Sequence, residues 1–367
     1  MAQVSSGDMD LSMDVTELTR TLVDIASVSG EEKAIVAEIE AGLRALPWLE
    51  VVRDGDTLVA RTHLGRGERV VLAGHTDTVP VNGNLPSRLE GDVLWGLGSC
   101  DMKGGLAVLL HLAAALEEPT RDVTYVAYEC EEVSADRNGL KRLAETRPEL
   151  LAADFAVLME PTDGEIEGGC QGTITVEVTA RGARAHTARS WMGSNAIHAM
   201  KPLLDLLDEY EPRRPVVDGI AYREGLSAVF ARAGVARNVV PDECVISVNH
   251  RFAPDRDLVA AEAHLRELFS GYEVTVVDRS ESARPGLLHP AAQHFVRAVT
   301  GLEPAAAVEA GRVRAKLGWT DVSLFSALGV PAVNYGPGDP TLAHHKDERV
   351  SLPSVAACER DLRAWLS

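Results

Sequence analysis

Apolar residues recur at helical spacing from Asp14 to Ala26, where Val15, Leu18, Leu22, Val23 and Ile25 fall together, and again from Glu31 to Leu46 through Ile35, Val36, Ile39 and Leu43. A period near 3.6 residues predicts two amphipathic helices. Ser29 and Glu32 have capping-box spacing ahead of the second, and Pro47 ends it. Short strands are expected at Glu50–Arg53 and Thr57–Thr62. Three later runs, Arg69–Gly74, Val123–Tyr128 and Asp154–Met159, are apolar almost throughout, as in strands covered on both faces. A helix over Lys103–Glu118 separates the first two runs, so helices and strands alternate as in an α/β sheet with mainly parallel strands.

From Thr173 the pattern changes to strict alternation, with Ile174, Val176 and Val178 on one side and Thr173, Thr175 and Glu177 on the other. That is a sheet with one wet face. The continuation reads helix (Ser194–Glu209), strand (Leu226–Arg232), strand (Glu243–Arg251), helix (Asp255–Phe269) and strand (Tyr272–Asp278), a ferredoxin-like β-α-β-β-α-β order. Arg284-Pro285-Gly286 then reads as a linker. A helix at Ala291–Thr300, a strand at Ala332–Tyr335 and a helix at Pro353–Leu366 resume the first texture. The predicted architecture is an α/β domain from 1–172 and 286–367, mainly parallel and covered by helices, with a ferredoxin-like α+β domain inserted at 173–285.

Candidate chemistry sits where the apolar strands stop. The first run is followed by His75-Thr76-Asp77, the second by Glu129-Cys130-Glu131-Glu132, and the third by Glu160-Pro161-Thr162. Asp101 lies in the glycine-flanked loop Gly98–Gly105, and the pair His344-His345 follows the last strand. Ligands of open α/β sheets gather beyond the carboxyl ends of the strands. A strand-end histidine or a pair of adjacent glutamates is by itself ordinarily structural, but five such placements at one sheet edge argue for a shared purpose. Two divalent cations need histidine and carboxylate ligands with one carboxylate in common. His75, Glu160 and a shared Asp101 suit one ion. Asp101, Glu132 and a histidine of the His344-His345 pair suit the other. Asp77 is placed to accept the second ring N–H of His75, and Glu131, left over, suits a general base.

Composition narrows the partners. The 367 residues carry 36 basic and 55 acidic side chains, a net charge of −19, which repels nucleic acid and anionic membrane surfaces and favours a small-molecule substrate. Met1–Asp10 lacks the basic-then-apolar order of a signal peptide. Leu106–Leu116 contains His111 and is too short to span a bilayer. Five scattered cysteines without a Cys-x-x-Cys pair suit reduced thiols and a cytoplasmic location, with no structural zinc-cysteine site.

The set His75-Thr76-Asp77-Thr78-Val79-Pro80, Gly98–Gly104 around Asp101, Glu131-Glu132, Glu160-Pro161-Thr162 and His344-x-x-Asp347-Glu348 resembles the M20 family of dizinc amidohydrolases and peptidases. The resemblance implies that His75, Asp101, Glu132, Glu160 and His344 are metal ligands and Glu131 the general base. The late His-x-x-Asp-Glu pattern selects His344 over His345. It implies two divalent cations, zinc first and cobalt second, and hydrolysis of a linear amide in a small N-acyl amino acid. Glu160 is typical of the deacylases and carboxypeptidases of the family. The stretches Ser190–His198, Tyr222–Ser227 and Lys316–Ser323 are similar to its desuccinylase branch. Acetylornithine deacetylases and aminoacylases share every metal position, whereas a noncatalytic homologue would be expected to lack the base or a ligand. The inserted domain is implied to be a lid and homodimerisation surface. His186, in Gly182-Ala183-Arg184-Ala185-His186, would reach the other subunit's centre to stabilise the oxyanion. Arg251, Asn238 and Thr320 would bind substrate, although Gln171 stands where the better-known proteobacterial desuccinylases carry an Arg. Cys100 and Cys130 are expected to be packing residues.

Overall fold

The structure is a computed structural model describing residues 9–367; the reading of Met1–Asp10 therefore lies, for residues 1–8, outside it. The chain forms two compact units, one running to Gly168 and completed by Pro285–Arg314 and Leu324–Ser367, the other made of Gly169–Arg284 and Ala315–Ser323.

The first unit is built on an eight-stranded sheet. Its spatial order is Glu50–Asp54, Thr57–Arg61, Asp122–Tyr128, Arg69–His75, Phe155–Leu158, Ala332–Asn334, Ile166–Gly168 and Val313–Ala315. The four strands from Asp122–Tyr128 to Ala332–Asn334 are mutually parallel, and the pairs at Glu50–Asp54/Thr57–Arg61, Thr57–Arg61/Asp122–Tyr128 and Ile166–Gly168/Ala332–Asn334 are antiparallel. Val70–Ala73, Val123–Tyr128 and Phe155–Leu158 are wholly buried, as their unbroken apolar character requires. The parallel register sets His75 opposite Tyr128 and Ala73 opposite Leu158. The chain therefore leaves the sheet at His75, Glu129 and Met159 along one edge.

Two local expectations are overridden. The Ser29–Glu32 capping box does not form: Glu32 makes no cap bond. Its carboxylate instead accepts the N–H groups of Gly30 (2.8 Å) and Cys130 (3.2 Å), while the Ser29 hydroxyl donates to the Asp77 carboxylate at 2.7 Å. The helix expected from Lys103 begins at Gly104, after a wide turn at Ser99–Lys103 in which Asp101 is non-helical (φ −118°, ψ 95°). Asp101 is thus no cap.

The second unit holds a four-stranded antiparallel sheet in the order Gly225–Ala233, Glu243–Phe252, Gly172–Arg181, Glu273–Ser280. Numbered along the chain this is 2-3-1-4, the ferredoxin-like arrangement. Ile174, Val176, Val178, Ile246, Val248 and Phe252 pack with Leu203, Ala261 and Leu265 from the helices Lys201–Glu209 and Leu258–Leu268. The first helix starts at Lys201, after a 3-10 turn at His198–Met200, because Pro202 has no N–H to donate and is at ease only in a first turn. Among the described residues no helix is long and apolar enough to cross a membrane.

Candidate metal centre

His75 closes its strand with a buried ring whose Nδ1 lies 3.0 Å from the backbone carbonyl of Asp77 and whose Nε2 lies 3.2 Å from Asp101 Oδ1. A carbonyl can only accept, so Nδ1 carries the hydrogen and the neutral ring presents a lone pair at Nε2. That lone pair faces a carboxylate oxygen. Two acceptors at this distance need something positive between them, a proton or a metal ion. Burial alone would depress His75, but hydrogen bonds to Asp101 and Asp77 outweigh it and hold the imidazole well above its ordinary range.

The expected contact between the Asp77 carboxylate and His75 is corrected in part. The carboxylate stands 3.5 Å from Nδ1, and the backbone carbonyl fixes the tautomer. The carboxylate is committed elsewhere: Oδ1 accepts the Glu131 N–H at 3.0 Å, and Oδ2 accepts the Glu132 N–H at 3.1 Å and the Ser29 hydroxyl. Burial opposes its charge, but its interactions with His75 and these donors prevail, and Asp77 is held down at about 2.

Glu132 and His344 meet at 2.9 Å, and His344 Nε2 lies 3.6 Å from Asp101 Oδ2. The hydrogen bond His344 donates to the Glu132 carboxylate pushes its pKa up to about 9. Cys130 (φ 58°) and His344 (φ 63°) both occupy the left-handed region, a conformation costing on the order of 1–3 kcal/mol for a residue with a side chain. Strain directly before Glu131-Glu132 and at His344 itself marks a site held in shape by its surroundings.

Ligand-type atoms converge in two overlapping groups, Asp101–Glu132–His344 and His75–Glu131–Glu132, each within 4.8 Å. The first is the set the sequence indicated. In the second Glu131 and Glu132 approach His75, while Glu160, buried directly beyond Met159, belongs to neither group. His345 is exposed and joins neither. Two imidazoles and several carboxylates, with both histidines drawn toward protonation, form a donor set that suits divalent cations. A third group, Glu32–Glu129–Cys130, is a hydrogen-bonded cluster. Arg142 pairs with Glu129 at 2.7 Å, and the Cys130 thiol donates to Glu32, its pKa pushed up by burial to about 12. Burial likewise raises Cys100 far above a thiol's ordinary range, so both cysteines stay protonated.

His186, Asn238, Arg251 and Thr320 all lie in the second unit. His186 is exposed, and its Nδ1 accepts the Ala188 N–H at 3.0 Å, which leaves Nε2–H as a free-facing donor. Asn238 is exposed beside it, its carbonyl accepting the Thr187 N–H. Arg251 is half-buried, its pKa lowered by desolvation. Gln171 is buried and donates to the Arg223 carbonyl at 2.7 Å.

Residues 71–366 match the Peptidase family M20/M25/M40. The chain belongs to this family. It is 52% identical over 98% of its length, and 99% of the relative's, to a Mycobacterium tuberculosis protein provisionally named succinyl-diaminopimelate desuccinylase DapE. It is 47% identical to the succinyl-diaminopimelate desuccinylase of Corynebacterium glutamicum over 98% of each chain. Among solved structures it resembles the Bacillus subtilis YXEP protein, described as a dinuclear metal binding peptidase from the M20 family, with a TM-score of 0.68 at 16% identity over 97% of both chains. The two overlapping ligand groups share Glu132, whereas the sequence pointed to Asp101 as the common carboxylate.

Proposed function

We propose that the chain hydrolyses N-succinyl-LL-diaminopimelate to succinate and LL-diaminopimelate. The observation that carries this reading is the likeness to desuccinylases from end to end, over 98% of the chain. In this reading His75, Asp101, Glu132, Glu160 and His344 hold two divalent cations, zinc first and cobalt second. Such ions supply Lewis acidity, polarising the amide carbonyl and lowering the pKa of water. Glu131 takes the proton of the attacking water and delivers it to the leaving amine. Asp77 supports that role by fixing the main chain of Glu131 and Glu132.

The second unit serves as lid and dimerisation surface. His186 Nε2–H donates to the developing oxyanion, and Arg251, Asn238 and Thr320 bind the substrate's polar groups, the guanidinium of Arg251 suiting a carboxylate. A homodimer is supported by the edge strand Gly225–Ala233, which leaves Val229 and Phe230 about 60% and 58% exposed, since edges of this kind pair readily with a copy. Five free, buried cysteines and the acidic composition support a cytoplasmic location.

The test is amine release by the zinc-loaded protein from N-succinyl-LL-diaminopimelate and from N-acetylornithine in parallel. Preference for the succinylated substrate by a factor of about 100, or roughly 2.7 kcal/mol of transition-state discrimination, is expected. Equal rates, or preference for the acetylated one, would transfer the chain to another deacylase specificity.

A further inference from the structure

Glu348 carries a buried carboxylate, only 2% exposed as a residue, that belongs to neither ligand group. Its oxygens collect three backbone N–H groups from a single turn: Oε1 takes Cys100 (2.9 Å) and Asp101 (3.0 Å), and Oε2 takes Gly98 (2.9 Å). The turn is shaped for this. Gly98 sits at φ +77°, and a Cβ there would come within 2.7 Å of Thr78 Cγ2, so only glycine fits the tight curl that aims the amides of Gly98, Cys100 and Asp101 at one carboxylate. Glu348 is itself anchored, its carbonyl accepting the Gly96 N–H and its N–H donating to His345, both at 3.1 Å.

The two ends of this clamp are ligand carriers. Asp101 supplies its own N–H, and His344 lies four residues before Glu348 in the same loop. A pair 247 residues apart in sequence is thereby locked main chain to side chain. A neutral acceptor would not do the same work: an amide offers one oxygen, and its NH2 would face an N–H on the other side. We propose that Glu348 is a positioning residue, setting the Asp101 carboxylate against Glu132 and His344 before any ion binds. This rests on reading Asp101–Glu132–His344 as a metal set, and it adds a residue that takes hold of Asp101 by its backbone N–H. Groups that orient metal ligands typically contribute 10- to 100-fold in affinity.

The test uses the chelator-stripped full chain, titrated with Co2+ and followed by its visible absorption and by competition with a chelator. Glu348→Gln, with the circular dichroism of the parent, is expected to bind at least one ion about 10- to 100-fold more weakly and to show an altered Co2+ spectrum. Glu348→Asp, which keeps the charge on a shorter stem, should recover part of the affinity. Glu359→Gln removes another buried carboxylate, one paired with Arg363 and His111, and should leave Co2+ affinity at the parent value. Parent affinity and spectrum in Glu348→Gln would overturn the proposal. If that variant does not fold, Glu348→Asp decides: weaker binding than the parent supports the clamp, and parent affinity overturns it. A parent protein that binds no Co2+ would instead defeat the metal reading on which the clamp depends.

Discussion

Replacing Asp77 by Asn keeps the shape of a wholly buried side chain while removing its charge and one acceptor. In the native protein Oδ1 faces the Glu131 N–H and Oδ2 faces the Glu132 N–H and the Ser29 hydroxyl. Whichever way the amide turns, its NH2 meets a backbone N–H: that of Glu131 in one orientation, that of Glu132 in the other. One hydrogen bond to a charged acceptor is lost, worth about 1.5–3 kcal/mol, and a buried donor left unmatched adds about 1–3 kcal/mol. The upper sum would be spent only if the segment stayed rigid. Relaxation of Glu131-Glu132 by a few tenths of an ångström relieves the clash but displaces the residues proposed as base and ligand. Asp77→Asn should therefore lower kcat/KM about 10- to 100-fold, or roughly 1.4–2.7 kcal/mol, and loosen metal binding at the same time. The assay is steady-state hydrolysis of the succinylated substrate with metal in excess, paired with chelator competition and thermal unfolding. A folded Asp77→Asn protein with kcat/KM within twofold of the parent would show that the clamp on Glu131-Glu132 carries no catalytic weight.

Other perturbations separate the roles further. Asp101→Ala should lose metal and activity together, whereas Glu131→Gln should keep its metal and lose turnover; metal analysis beside kinetics decides, and a fully active Glu131→Gln would remove the base from its role. Gly105→Ala would set a Cβ 2.0 Å from the Met159 carbonyl, forcing the Gly104–Ala115 helix off the strand end that carries Glu160, so a stability loss of about 1–3 kcal/mol and reduced metal affinity are expected, and an unchanged unfolding midpoint would contradict the packing. In the second unit, burial lowers His250 and His264, whose rings lie 5.8 Å apart. Because the unfolded chain protonates first, stability should be unaffected above about pH 6.5 and fall as pH drops below that value toward the depressed folded-state pKa. His250→Gln should flatten this acid dependence in unfolding midpoints measured between about pH 7 and 5, and an unaltered slope would exclude His250 as its source.

Much of the centre is legible in the chain because two-sided burial of a parallel strand forces its first polar residue to the sheet's edge. The strand-end place of His75 can be read from that alone, as can that of Glu160, although Glu160 joins neither ligand group, and the 2-3-1-4 sheet follows from alternation and element order. What spacing cannot show is a carboxylate whose partners are backbone amides of a distant loop. Glu32 illustrates the limit: capping-box spacing singled it out, but its carboxylate serves the Cys130 N–H, 98 residues away. An exposed cap contributes about 0.5–2 kcal/mol, whereas a buried amide left without a partner costs about 1–3 kcal/mol. The tertiary demand wins. The backbone partners of Asp77 and Glu348 escape for the same reason, since Cys130, His344 and Gly98 adopt left-handed backbone that side-chain spacing does not encode.

That arrangement also answers a problem posed by the centre's own charge. On the proposed reading Asp101 and Glu131 must each gather beside Glu132 before a cation arrives, in a protein of net charge −19. Left mobile, such side chains would swing apart into solvent, and the ions would have to supply the free energy of gathering them. Backbone N–H groups cannot be titrated away, and those of Asp101, Glu131 and Glu132, aimed at Glu348 and Asp77, both offset negative charge and immobilise the residues that carry them. The centre's acidity is therefore sustained by its main chain, with the clamping carboxylates placed behind the ligands where no ion has to reach them.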